Sequence, residues 1–94
     1  MVARASASLR VTYPQASWVE QDALAIWQSV LDCVGEVLTS TRAGGPPEAP
    51  ACLGLSNQRE SVVLWDRATG GALSPCVVWQ CQRGVRLVDE LKRQ

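Results

Sequence analysis

The stretch that most constrains this chain begins at Leu24. From there Trp27, Val30, Leu31, Val34, Val37 and Leu38 recur at three- and four-residue steps, while Gln28, Ser29, Asp32 and Glu36 fall off the stripe. That period defines an amphipathic helix, about four turns long and spanning 22–38. Asp22 stands where a carboxylate can accept from the unpaired amides of the first turn. Gly35 weakens the helix interior by roughly 1 kcal/mol relative to Ala.

Short apolar runs flank this helix. Leu9, Val11 and Tyr13 alternate with Arg10 and Thr12, which predicts a half-buried strand ended by Pro14. Residues 42–50, with Gly44-Gly45-Pro46-Pro47 and Pro50, predict a connecting loop. No Gly-Lys-Ser/Thr follows the glycines, so this is not a phosphate loop. Residues 51–56 read as a short buried strand. A helix between it and the first strand would permit a parallel crossover, right-handed if formed. Two further runs, 61–66 and 72–73, are separated by Arg67-Ala68-Thr69-Gly70-Gly71, a hairpin signal. Cys76-Val77-Val78-Trp79 suits a fully covered strand. A last helix near 84–93 would turn Val85, Val88 and Leu91 inward. Together these predict an α/β unit with a mixed sheet, two main helices and a hairpin.

Composition excludes several classes. Nine basic and nine acidic residues cancel, so no net field favours nucleic acid or an anionic membrane. Apolar stretches run only a few residues, far short of a membrane span. The first eight residues lack the apolar core of a secretory signal and are expected to fray, with cytoplasm the default location. Four cysteines, Cys33, Cys52, Cys76 and Cys81, occur without any histidine or CxxC. They are expected to be free, buried small hydrophobes rather than a metal site.

The chemistry concentrates in Asn57-Gln58-Arg59-Glu60-Ser61 and Cys76-Val77-Val78-Trp79-Gln80-Cys81-Gln82-Arg83. An ionised Glu only accepts hydrogen bonds and an Arg only donates them, whereas an alcohol does both. An Arg-Glu pair can therefore hold neighbouring hydroxyls of a polyol, and a Trp face can cover the carbons between them. In a regular strand Arg59 and Glu60 would point to opposite faces. They can share a ligand only if the strand ends there. Taken without context, an exposed Arg-Glu pair is most often a solvated surface pair worth little. Trp18, Trp27 and Trp65 read as packing residues, Asp22 as a helix cap and Asp66 as a turn former.

Tyr13-Pro14, Trp18-Val19-Glu20-Gln21-Asp22, Ile26-Trp27, Asn57-Gln58-Arg59-Glu60, Trp65-Asp66, Thr69-Gly70 and Val78-Trp79-Gln80 occur in a telling order and spacing. In both, the chain resembles the FGGY family of carbohydrate kinases, and within it the members that phosphorylate glycerol. The resemblance runs from about Leu9 to the end, which makes 9–94 part of one domain. It departs from the family at Ser17 and Ala23, where Gly and Pro are usual, and at Ser61 and Gly84, where Thr is usual. The resemblance implies part of a ribonuclease-H-like domain of the actin and hexokinase type. It also implies a parent enzyme that uses ATP and Mg²⁺, with Arg59, Glu60 and Trp79 binding glycerol or a similar polyol. Other sugar kinases of the family carry Gln-Met-His-Gly where this chain has Gln58-Arg59-Glu60-Ser61, so the Arg-Glu pair favours glycerol.

Family members begin with two earlier strands whose turn surrounds the nucleotide phosphates. Their catalytic Asp and adenosine-binding domain come later. Only eight residues precede Leu9 here, so these parts are expected to lie outside the chain. No catalytic or metal-ligating residue is expected within it, and no cofactor is expected to bind it alone. The rival readings are a non-catalytic remnant or partner-binding module, and a kinase for another small sugar or polyol. In the first case, uncovered strand edges would invite self-association.

Overall fold

The elements run β1 (Val11–Thr12), β2 (Glu20–Gln21), α1 (Ala23–Arg42), β3 (Cys76–Val77) and α2 (Val85–Leu91) in a computed structural model that describes residues 2–42 and 49–94. Most of the loop expected at 42–50 lies outside the described residues. The chain is mixed α/β, with two helices and a small sheet of order β1-β2-β3. Val11 pairs with Gln21 and Thr12 with Glu20; Glu20 then pairs with Val77 and Gln21 with Cys76, all antiparallel. The Thr12 hydroxyl adds a bond to the Glu20 carbonyl at 3.2 Å.

Local signals are obeyed. The Asp22 carboxylate accepts from the Leu24 and Ala25 amides at 2.8 and 3.1 Å, capping α1 as its chemistry dictates. The helix runs on to Arg42, four residues past the expected end at Leu38. In the hairpin, Trp65 bridges Ala72 and the Asp66 amide donates to the Gly71 carbonyl at 2.8 Å. Asp66 also accepts from the Ala68 and Thr69 amides, at 2.7 and 3.0 Å. Those backbone bonds hold its carboxyl below the usual range. Gly70 takes φ +72°, the positive value the turn needs.

Of the expectations that required burial, the one at Cys76 and Val78 holds and most others fail. Residues 51–56 form no strand: Leu53 and Leu55 are 78% and 89% exposed. A strand exists only where a neighbour completes its hydrogen bonds, and no described segment pairs with this one, so the parallel crossover is not formed here. Cys52, expected buried, is exposed with it, although all four thiols are free as anticipated. Val85, Val88 and Leu91 of α2 stay about half exposed instead of turning inward. The α1 stripe is equally open, and Trp27 and Trp65 are not core residues. The buried apolar set is Val19, Cys76 and Val78, where β2 meets β3.

Ser17 carries φ +62° in the turn between β1 and β2. A non-Gly residue there costs roughly 1–2 kcal/mol, and this is a position where the resembled family uses Gly. The turn persists because it is stitched down: the Trp18 amide donates to the Gln15 carbonyl at 3.1 Å, and the Gln82 amide to the Ser17 carbonyl at 2.9 Å.

Candidate functional site

Arg59 and Glu60 occupy a turn at the end of the irregular run 52–58. Glu60 has φ +61°. The break in alternation that lets adjacent side chains serve one ligand is therefore present. Beyond the turn the chain pairs with β3: the Val62 amide donates to the Val77 carbonyl at 3.0 Å, and the Val77 amide to the Val62 carbonyl at 2.8 Å. The turns at 59–60 and 79–80 lie at the same outer end of these two paired segments. The Trp79 amide donates to the Ser61 hydroxyl at 3.3 Å, joining the two turns directly. Arg59, Glu60 and Trp79 are all exposed, Trp79 by 58%. Their segments are thus neighbours on an open surface.

The Trp79 turn has a frame that sequence reasoning missed. The Val78 amide donates to the Val19 carbonyl at 3.1 Å and the Cys81 amide to the Val78 carbonyl at 2.8 Å. Arg83 then closes the turn onto the first third of the chain. Its Nη2 meets Glu20 Oε1 at 2.6 Å, its Nε donates to Cys81 Sγ at 2.9 Å, and its guanidinium carbon lies 4.0 Å from the centre of the Trp18 ring. Such a cation over an indole face is favourable by about 0.5–2 kcal/mol. No periodicity links positions 20 and 83. The only signal was charge complementarity, shared by many pairs.

Cys81 shares this cluster. Partial burial pushes its thiol up, but hydrogen bonds from the Val19 backbone and from Arg83, with the guanidinium charge, outweigh it and hold the thiol below its usual range. A lowered value means more thiolate at neutral pH, so the difference should fade once ordinary thiols ionise above about pH 9. At pH 7, Cys81 is expected to alkylate faster than Cys52 despite the latter's greater exposure, and to lose that lead in Arg83→Ala. Peptide mapping after timed iodoacetamide treatment checks this. Equal rates at the two sites in the unsubstituted full-length protein carrying this segment would overturn it.

A shallow groove of about 400 Å³ lies elsewhere, lined by Thr12, Gln21, Asp22, Ser74 and Pro75 among others, and not by Arg59, Glu60 or Trp79. Among the described residues no three carboxylate, thiol or imidazole groups gather as a metal site. No described helix is long and apolar enough to cross a membrane.

The description "FGGY family of carbohydrate kinases, N-terminal domain" matches residues 1–94, and the chain belongs to that family. It is 44% identical over all its 94 residues to a glycerol kinase of Shewanella pealeana, covering 19% of that protein. It is 49% identical over 81 residues to a glycerol kinase of Alkalilimnicola ehrlichii, covering 86% of this chain and 16% of that one. Among solved structures, a Plasmodium falciparum glycerol kinase with ADP superposes with a TM-score of 0.89 at 27% identity, over 94% of this chain and 17% of that one. The chain thus spans less than a fifth of the length of these relatives.

Proposed function

We propose that this chain is the polyol-holding portion of an ATP-dependent glycerol kinase. Arg59 donates to a substrate hydroxyl, Glu60 accepts from its neighbour, and the Trp79 ring covers the carbon backbone. The observation that carries this reading is the bond from the Trp79 amide to the Ser61 hydroxyl, which sets the Trp turn beside the Arg-Glu turn. The relatives' identity as glycerol kinases supports the choice of substrate. The TM-score of 0.89 supports placing 9–94 within a larger ribonuclease-H-like domain.

Phosphoryl transfer depends mostly on placement and on charge stabilisation by a phosphate cradle and Mg²⁺. The family implies ATP and Mg²⁺, but the described residues offer no cluster suited to the metal, so none is assigned to it. What these residues supply is orientation of the accepting hydroxyl. Four free thiols suit a reducing compartment, in keeping with a cytoplasmic enzyme.

A coupled assay following ADP release tests the proposal on two samples: the 94-residue chain alone and the full-length protein carrying this segment. The full-length protein is expected to phosphorylate glycerol, and the chain alone to be inactive. A full-length protein that phosphorylates a longer sugar and ignores glycerol would overturn the substrate assignment. A second reading, a partner-binding module, draws support from the exposed Leu53 and Leu55 beside unpaired backbone. Concentration-dependent association of the isolated chain, with a full-length protein inactive on every polyol, would favour it.

A further inference from the structure

The hydroxyl of Ser61 stands between the two turns of the candidate site. It is half-buried, whereas Arg59, Glu60 and Trp79 around it are exposed. It receives the Gln58 side-chain amide at 2.7 Å from one side and the Trp79 main-chain amide at 3.3 Å from the other. These two bonds use both acceptor positions of a hydroxyl oxygen. They arrive from the two segments that carry the candidate polyol contacts.

The turn has little else to hold it there. Glu60 takes φ +61°, a conformation a side chain disfavours, so the 59–60 geometry persists only where its surroundings impose it. The backbone pairing with β3 is one bridge, Val62 to Val77. Outward from that bridge, Ser61 makes the next tie. On the Trp79 side the frame of Arg83, Glu20 and Val19 is already fixed. Ser61 thus transmits a rigid frame to a strained turn.

We propose that Ser61 is a positioning residue for polyol binding, its hydroxyl holding the Arg59-Glu60 turn in register with Trp79 so that a small polyol meets all three as one surface. This rests on the polyol-binding reading above. Loosening a turn that carries binding groups weakens the contacts those groups make, so the effect of losing Ser61 should fall on the polyol and spare the nucleotide. A threonine hydroxyl supplies the same acceptor and should serve equally.

Steady-state kinetics of the full-length protein test this with Ser61→Ala, Ser61→Cys and Ser61→Thr, and with Arg59→Ala as the control for the reading beneath. Cysteine keeps the side-chain size but accepts weakly, so it stands in if the alanine variant fails to fold. The expected result is a rise of about two- to tenfold in KM for glycerol in the Ala and Cys variants, the range of one neutral hydrogen bond. KM for ATP should stay within twofold, and Thr should restore the parent value. Amide hydrogen exchange at Trp79 should quicken in the Ala and Cys variants only. If Arg59→Ala is impaired while Ser61→Ala and Ser61→Cys match the parent, the Ser61 proposal falls alone. It also falls if Thr fails to rescue, or if KM for ATP rises in step with glycerol. If Arg59→Ala is silent or glycerol is not a substrate, the polyol reading falls and this inference falls with it.

Discussion

Expressed alone, the 94-residue chain is expected to melt without a cooperative transition. A folded protein of 10.2 kDa should expose about 5,300 Å², yet this chain exposes 8357 Å². Its radius of gyration is 18.3 Å, against about 12.4 Å for a compact domain of this length. The buried apolar set is Val19, Cys76 and Val78, and fully burying one such side chain contributes only about 1.5–3 kcal/mol. Ordering the backbone costs about 1–2 kcal/mol per residue. Three buried side chains cannot offset that sum. The chain should therefore keep fractional helicity over 23–42, bind a hydrophobic dye and associate as concentration rises. Far-ultraviolet circular dichroism during heating, with sedimentation at several concentrations, checks this. A sharp transition above 45 °C from a monomer would show that the open faces close on one another.

That imbalance also explains which features were legible in the sequence. The Asp22 cap, the Asp66 turn and the positive φ at Gly70 depend on residues two to five positions away, so local chemistry sufficed. The reach of α1 was clear from its period, and only its end was misjudged. What failed was most statements about covering: 51–56 as a buried strand, Cys52 as a core thiol, and Val85, Val88 and Leu91 facing inward, whereas Cys76 and Val78 are buried as expected. Period reveals which face is apolar; it cannot reveal whether a partner is there to bury it. β2 went unseen because Glu20-Gln21 is polar and two residues long, defined by its neighbours on either side. At the site, the need for a break at Arg59-Glu60 followed from strand geometry alone. The clasp of Arg83 on Glu20 and Trp18 did not, because it joins positions 63 residues apart.

In the full-length protein, Arg59→Ala is expected to cut kcat/KM for glycerol by about ten- to a hundredfold. A hydrogen bond to a charged group contributes about 1.5–3 kcal/mol, which converts to that range. The loss should be chemical rather than structural. Arg59 is exposed on a turn and makes no ion pair among the described residues, so removing it leaves no cavity and no stranded partner in this segment. Its melting temperature should accordingly match the parent within a degree or two. Arg59→Lys sharpens the test: lysine keeps the charge but lacks the planar fork of donors, so activity should fall between those of the parent and Arg59→Ala. The measurement is a coupled kinase assay across glycerol concentrations at saturating ATP, beside a thermal melt of each variant. Unchanged kcat/KM in a well-folded Arg59→Ala protein would remove Arg59 from the polyol site and leave Glu60 and Trp79 without the donor their geometry requires.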